Sequence, residues 1–326
     1  MLLALLADGR PRTGAWLAEE LKVSRAAIGR GVQRLRTVGV QVHASARRGY
    51  RLAEPVELLD AARIVSELGA RHAQRLSALE VLFAVDSTNS RLLAAPPPPA
   101  DHAHVCLSEL QHAGRGRRGR RWIAPFGGGV AMSLAWTFGA GARSVPALSL
   151  AVGVAVSKAL TRAGAVGVTL KWPNDIVFLD RKLGGVLVEL RAEPSGAAHV
   201  VIGIGINVAL SPAARRELDA AGVRVAAAAD ACARVPSRNL VAGSILDELL
   251  SMLERFEREG FAAYRDAWTA LDTLRGRPAQ VLIGDAAVTG TARGVDEDGA
   301  LLIETQGRIQ RFVSGEASLR VIEGVT

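Results

Sequence analysis

The 326-residue chain holds only two cysteines. Cys106 and Cys232 stand far apart with no second cysteine beside either, so neither a disulfide framework nor a cysteine-based zinc site is expected, and a reducing cytoplasmic compartment fits. Long apolar runs are missing too. The apolar opening Leu2 to Ala7 lacks a basic leader and stops at Asp8, too short for a secretory core or a membrane span. No internal repeat suggests an array. Among the six histidines, His102 and His104 stand beside a proline-rich loop, where two lone imidazoles are more often solvated than metal-bound, and no metal site is expected. One absence is local: no Asp or Glu occurs between Leu110 and Arg143.

Basic charge is what the chain does have. A net charge of +8 and a pI near 10.4 suggest an anionic partner without naming it. The distribution is more telling. Residues 1 to 50 carry nine Lys or Arg against three Asp or Glu, and residues 115 to 121 carry five arginines and no acid. A chain of this length exceeds one core of average size, so two or three domains are expected.

Residues 2 to 53 read as three helices and a short hairpin. Leu17, Ala18 and Leu21 precede a break at Lys22 and Val23, the spacing of a helix-turn-helix. Ser24 suits an N-cap, while Ala27, Ile28, Val32 and Leu35 recur at helical spacing to bury one face. Arg25, Arg30, Gln33, Arg34 and Arg36 occupy the other, where such side chains reach phosphates and base edges of a major groove. Val40 to His43, then Arg47 to Arg51, would form a basic wing. A small helical domain with a solvated charged face is the alternative.

Glu54 and Pro55 end this unit, and a helical stretch is expected from about Val56 to Leu79. Strands and helices then alternate. Apolar runs at Val105 to Leu107, Val130 to Phe138, Val168 to Trp172, Ile176 to Leu179, Gly185 to Leu190 and Val200 to Val208 predict strands of one sheet. Ser90 to Ala95, Ser149 to Arg162 and Asn239 to Glu259 predict helices, giving an α+β core. The proline run Pro96 to Pro99 and the segment Ser211 to Pro236 show no clear periodicity and are open to being mobile. From Leu274 onward, short apolar runs separated by Gly284-Asp285, Asp298-Gly299 and Gln306-Gly307 predict a small β-barrel.

The segment Gly114 to Gly119 formally matches G-x-G-x-x-G. Its context excludes a dinucleotide site, because a Rossmann loop opens a helix and needs an acidic residue about twenty positions on. Here Trp122, Pro125 and Gly127 to Gly129 prevent a helix start, and the acid is missing. What remains is an anion trap of glycine amides and fixed arginine charge. Four further segments add to it. Asp86 to Ser90 gathers hydroxyl and amide groups that suit a polar head group or a helix cap. Lys171 to Asp175 sets an amide and a carboxylate at a strand end. Arg181 to Gly185 sets Lys182 on a turn, and Gly203 to Asn207 alternates glycine with isoleucine so that a flat ligand can lie against bare backbone.

Together with Ser24 to Ile28, Gln111 to Arg120 and Gly315 to Arg320, these segments closely resemble the bifunctional biotin protein ligase and biotin operon repressor family of bacteria, over nearly the whole chain. The resemblance implies a winged helix-turn-helix at 1–54, a class II synthetase-like mixed sheet flanked by helices at 55–270, and an SH3-like barrel at 271–326. It implies two half-reactions: biotin and MgATP give biotinyl-5′-adenylate and pyrophosphate, and a lysine of a biotin carboxyl carrier protein then attacks the anhydride. Ser87, Thr88, Asn89, Gln111, Gly114, Arg115 and Gly116 match positions around the biotin head group, and Gly203 and Gly205 its apolar wall. Arg117, Arg118, Arg120, Trp122, Asn174 and Asn207 match adenylate positions, Arg117 also touching biotin and the reacting atoms. Lys182 matches the lysine at the carboxylate and α-phosphate, Asp175 a carboxylate near the acyl carbon. Ser24, Arg25, Arg30, Gln33, Arg34, Arg47 and Arg48 match DNA-contacting positions, with operator DNA as partner and a homodimer formed on ligand binding. The arginine loop is expected to close on its ligand. Gly29 and Gly31 depart from the larger polar residues usual in that recognition helix, and Ser211 to Pro236 lacks an aromatic to stack on adenine. A lipoate or octanoate ligase, and a biotin-sensing transcription factor without ligase activity, are the other readings that these residues leave open.

Overall fold

A computed structural model of the chain describes residues 1–139, 145–192, 198–220, 222, 224–283, 286–313 and 318–321. It divides into two compact units, Met1–Leu59 and Asp60–Thr326.

In the first unit, α1 (Leu2–Leu6), α2 (Gly14–Glu20) and α3 (Arg25–Thr37) precede a hairpin of β1 (Val42–Ser45) and β2 (Gly49–Leu52). The two later helices start as polar residues dictate: Thr13 accepts from Trp16 N–H and Ser24 from Ala27 N–H, each satisfying an otherwise orphaned amide. Leu6, Leu17, Ile28, Val32, Val42 and Leu52 form the core. Arg36 reaches over to the wing and donates to Val42 O through Nε at 3.0 Å and Nη2 at 2.7 Å. A Cβ on Gly31 would lie 2.8 Å from Leu2 Cδ2, so the missing side chain lets α1 come close, whereas nothing lies within 4 Å of one on Gly29.

The second unit is built on a seven-stranded mixed sheet. Its elements are α4 (Ala61–Ser66), α5 (Ala70–Ala73), β3 (Leu76–Val85), α6 (Thr88–Leu93), β4 (Ala103–Gln111), β5 (Gly129–Phe138), α7 (Val145–Arg162), β6 (Val168–Lys171), β7 (Asp175–Phe178), β8 (Arg181–Ala192) and β9 (Ala198–Asn207), followed by α8 (Pro212–Ala220), α9 (Arg238–Glu259) and α10 (Ala262–Leu271). Strand order is β3-β4-β5-β9-β8-β7-β6, with only β3 and β4 parallel. β5 is buried along its whole length, as the centre of a sheet covered on both faces requires. α7 and α9 supply much of that cover, burying Val152, Val156, Ile245 and Leu249.

Three expectations change. The helix placed at Val56 to Leu79 is instead two short helices and an edge strand; Leu76–Val85 is apolar at most positions, and a run of that kind fits a strand and a buried helix equally until a neighbour such as β4 pairs with it. Lys182 is not on a turn but in β8. The turn is Leu179 and Asp180, both at positive φ. Ser211 to Pro236 also has structure: Ser211 caps α8, and Leu210, Ala214, Leu218, Val225 and Ala227 pack together with Ile123, a cluster too short to give a visible period.

The C-terminal strands β10 (Pro278–Ile283), β11 (Ala286–Val295), β12 (Leu301–Thr305), β13 (Arg308–Phe312) and β14 (Ser318–Val321) form an antiparallel sheet in the order β13-β12-β11-β10-β14. The turn at Gly284-Asp285 and the residues Gly315 to Ala317 lie outside the described residues. This sheet belongs to the same unit as the central one, and the Trp172 indole N–H donates to Gly299 O at 3.1 Å.

Candidate active site

One cavity of about 670 Å³ opens where β5, β7, β8 and β9 meet α6 and the arginine loop. It gathers nearly every residue singled out in the central domain: Ser87, Thr88, Asn89 and Gln111; Arg115 to Arg118, Arg120 and Trp122; Asn174, Asp175 and Lys182; and Gly203, Gly205 and Asn207 all line it. Gly114, the next residue of the loop, is buried and does not line it.

The loop is a small hairpin. Trp122 N–H donates to Gly114 O at 2.9 Å, Gly116 N–H to Arg120 O at 2.7 Å, and Arg115 bridges Arg121. Its tip is a 3-10 turn over Arg117–Gly119, with Arg118 at φ 57°. A Cβ on Gly114 would lie 2.6 Å from Trp122 O, so only glycine lets the hairpin legs approach. Arg115 Nη2 meets Glu189 Oε2 at 2.6 Å, and Arg121 donates to His112 O at 2.9 Å. Arg117 points inward to Asn174 Oδ1 at 3.4 Å, and burial pulls its guanidinium below its ordinary range. Arg118 and Arg120 are exposed.

Opposite the hairpin, Lys182 Nζ and Asp175 Oδ1 are 2.6 Å apart, one near the start of β8 and the other at the start of β7. The lysine also lies 6.0 Å from the centre of the Trp122 ring. Its backbone is held on both sides: Lys182 N–H donates to Arg224 O at 3.0 Å, and Ala226 N–H donates to Lys182 O at 2.9 Å. Asn207 is buried and donates to Ala226 O at 3.1 Å, so its amide ties this segment down. Asn174 does the same beside Asp175, donating to Val186 O at 2.7 Å.

At the other end, Ser87 caps α6 by accepting from Ser90 N–H, which makes its hydroxyl both cap and lining. Thr88 N–H donates to Gln111 Oε1 at 2.9 Å. The Ser133 hydroxyl lies 2.6 Å from Thr88 Oγ1 and 2.5 Å from Asn89 Oδ1, while Asn89 Nδ2 donates to Glu189 Oε2 at 2.8 Å.

The strand glycines require a correction. A Cβ on Gly203 would collide with the Asn89 amide, and one on Gly205 with the Trp122 indole. The space each leaves is filled by a protein side chain rather than kept as a bare wall. The buried Trp122 indole N–H has no hydrogen-bond partner among the described residues. Leaving such a donor unmet costs about 1 to 3 kcal/mol, so an acceptor on a ligand would relieve it.

Sequence reasoning missed Ser133 and Glu189, and it gave Lys171 no role although that residue opens the Lys171 to Asp175 segment. Lys171 lines the cavity beside Asp175, and burial lowers its pKa. Ser133 and Glu189 sit inside apolar strands, and only the register across β5, β9 and β8 aligns them with α6. None of the helix-turn-helix residues lines this cavity: Ser24 is spent on its cap, and Arg25, Arg30, Gln33, Arg34, Arg47 and Arg48 are exposed in the first unit.

Comparison with known proteins gives this arrangement its family. A model of the biotin/lipoate A/B protein ligase family matches residues 82–207, a helix-turn-helix model residues 1–51, and a biotin protein ligase C-terminal model residues 276–320. The bifunctional ligase/repressor BirA of Salmonella typhimurium is 40% identical over 99% of this chain and 97% of its own, and that of Escherichia coli 39% identical over the same shares. The chain belongs to the bifunctional biotin ligase/repressor family. A solved biotin protein ligase from Aquifex aeolicus, in complex with biotin and ATP, superposes with a TM-score of 0.63 at 27% identity, covering 76% of this ligase and all of that one. The cavity of this ligase has two chemically distinct ends, one where amides and hydroxyls stand with Arg115, the other where Arg117 and Lys182 stand with Asn174 and Asp175.

Proposed function

We propose that this ligase joins biotin to ATP as biotinyl-5′-adenylate, transfers biotin to a lysine of the biotin carboxyl carrier protein of acetyl-CoA carboxylase, and represses biotin synthesis genes with the adenylate as co-repressor. The observation that carries it is the convergence of Lys182, Asp175 and Arg117 in one cavity with the Thr88 and Gln111 end.

In the first half-reaction a carboxylate oxygen attacks the α-phosphorus and the bond to pyrophosphate breaks. Both reactants are anions, so their repulsion forms part of the barrier, and Lys182 with Arg117 offsets it. Arg118 and Arg120, exposed at the hairpin tip, cover the phosphates, and Trp122 closes the site from water. Gly114, Arg115 and Gly116 hold the head-group end of the hairpin. Asn174 and Asn207 border the adenylate by fixing β8 and the 224–226 segment. In the second half-reaction the carrier amine attacks the acyl carbon and AMP leaves. Asp175, which already accepts a hydrogen bond from Lys182 at 2.6 Å, orients the amine and takes its proton. Mg2+ enters with ATP, held by phosphates and water; among the described residues no three His, Cys, Asp or Glu side chains converge on a metal site.

Arg25, Arg30, Gln33 and Arg34 on α3, with Arg47 and Arg48 on the wing, carry operator binding, Ser24 fixing the helix start. Binding tightens as biotinyl-adenylate forms and the ligase dimerises. The ligase works in the cytoplasm, a reducing compartment that suits its two free thiols, Cys106 and Cys232.

Mass spectrometry of a carrier domain incubated with ATP and biotin, lipoate or octanoate tests the substrate. A biotinyl adduct is expected; a lipoyl or octanoyl adduct alone overturns the choice. Biotin binding without pyrophosphate release would mark a sensor rather than an enzyme.

A further inference from the structure

We infer that Glu189 is a positioning residue that sets the direction of a buried hydrogen-bond chain, and that this chain presents the Thr88 hydroxyl to the acid as an acceptor. The inference rests on biotin, whose urea ring carries N–H donors, being the substrate.

The chain runs across one face of the sheet. Ser133, Thr88 and Asn89 are 0%, 3% and 4% exposed, so their protons must be placed within the protein or on a ligand. A carboxylate paired with a guanidinium, as Glu189 is with Arg115, can only accept. Asn89 must therefore turn Nδ2 toward Glu189 Oε2, 2.8 Å away; the flipped amide would set two acceptors against each other. That leaves Asn89 Oδ1 facing Ser133 Oγ at 2.5 Å, and the single Ser133 proton goes to it. Ser133 Oγ is also 2.6 Å from Thr88 Oγ1, and with its own proton spent it accepts the Thr88 proton. Gln111 Oε1, 3.3 Å from Thr88 Oγ1 and held by the Thr88 N–H at 2.9 Å, is a second protein acceptor within reach of that proton. Either way the cavity meets only Thr88 lone pairs. An N–H of a urea ring is bound there; the dithiolane ring of lipoate has none to offer.

Glu189→Gln removes the direction. A glutamine amide donates as well as accepts, so Asn89 can flip and Ser133 can donate to Thr88, which takes up one Thr88 lone pair and frees the Thr88 proton from Ser133 to divide between Gln111 Oε1 and the cavity, against the urea N–H. With the full-length ligase, biotin and ATP, pyrophosphate release by Glu189→Gln should show a KM for biotin raised at least tenfold. Its rate of transfer from preformed biotinyl-adenylate to the carrier domain should stay within twofold of wild type. In a Thr88→Val background the same substitution should raise KM by less than twofold, because the acceptor it controls is gone. Ser133→Ala, which cuts the chain elsewhere, should show the same non-additivity and serves if Glu189→Gln does not fold. An unchanged KM, or effects that add fully with Thr88→Val, as removal of the Arg115 ion pair alone would give, overturns the inference. A wild-type ligase that releases no pyrophosphate with biotin overturns the proposed substrate, and this inference with it.

Discussion

The two basic regions of this ligase hold their charge in opposite ways. On α3, Arg25, Arg30 and Arg34 are exposed, and no hydrogen bond or ion pair is found for their side chains among the described residues. In the arginine hairpin, Arg115 is fixed to Glu189, Arg117 faces Asn174 and Arg121 is tied to His112 O, while Arg118 and Arg120 at the tip are exposed in the manner of α3. Free arginines on a helix suit a partner that supplies its own ordered phosphates, where counterion release rather than geometry provides affinity. Fixed arginines suit a reaction, where charge must already stand in place when the anions meet. The same residue type thus serves two ends, and the neighbouring acids and carbonyls decide which.

Four changes test that contrast. The largest effect is expected at the fixed end: Lys182→Ala should lower the rate of pyrophosphate release by about 10² to 10³-fold, as removing one preorganised charge-stabilising group typically does, while operator binding measured without ligand stays unchanged. If DNA binding falls as well, the two regions are not independent. At the free end, replacing Arg25, Arg30 and Arg34 together by alanine should weaken operator binding and flatten its salt dependence by roughly 0.9 in log–log slope for each phosphate no longer neutralised. Adenylate formation should persist. Fluorescence anisotropy across a salt series checks the slope.

A smaller effect is expected at the junction between α10 and β10. Burial raises the pKa of Asp272 from 3.8 to about 6. Among the described residues its buried Oδ2 has no hydrogen-bond partner, and its Oδ1 accepts from Leu274 N–H. The folded chain then holds this proton more tightly than the unfolded one, so Asp272 makes stability fall as pH rises from about 4 to about 6. Asp272→Asn should remove that part of the slope, and melting temperatures read at several pH values will show whether it does. The smallest effect is a gain. Gly29→Ala meets open space on α3 and should stabilise the first unit by about 1 kcal/mol through helix propensity. Thermal unfolding that shows a loss instead would mean that α3 needs this glycine for something other than space.

Sequence determined much of this ligase because its main signals are local. The cap at Ser24, the apolar stripe of α3, the glycines and arginines of the hairpin, and the turn pairs after Leu274 each act within a few residues. The α+β alternation of the central domain is a local periodicity as well. The sequence could not place Leu76–Val85, because an apolar run becomes a strand only when another strand pairs with it. Nor could it decide what Gly203 and Gly205 make room for. Those answers depend on Asn89 and Trp122, which the fold brings back from distant parts of the chain. Glu189 and Ser133 are the clearest case: inside apolar strands they give no signal, and only the cross-strand register sets them beside Asn89. Composition and local spacing thus fixed the elements and the chemistry available to them, while hydrogen bonds between distant strands decided the direction in which that chemistry faces.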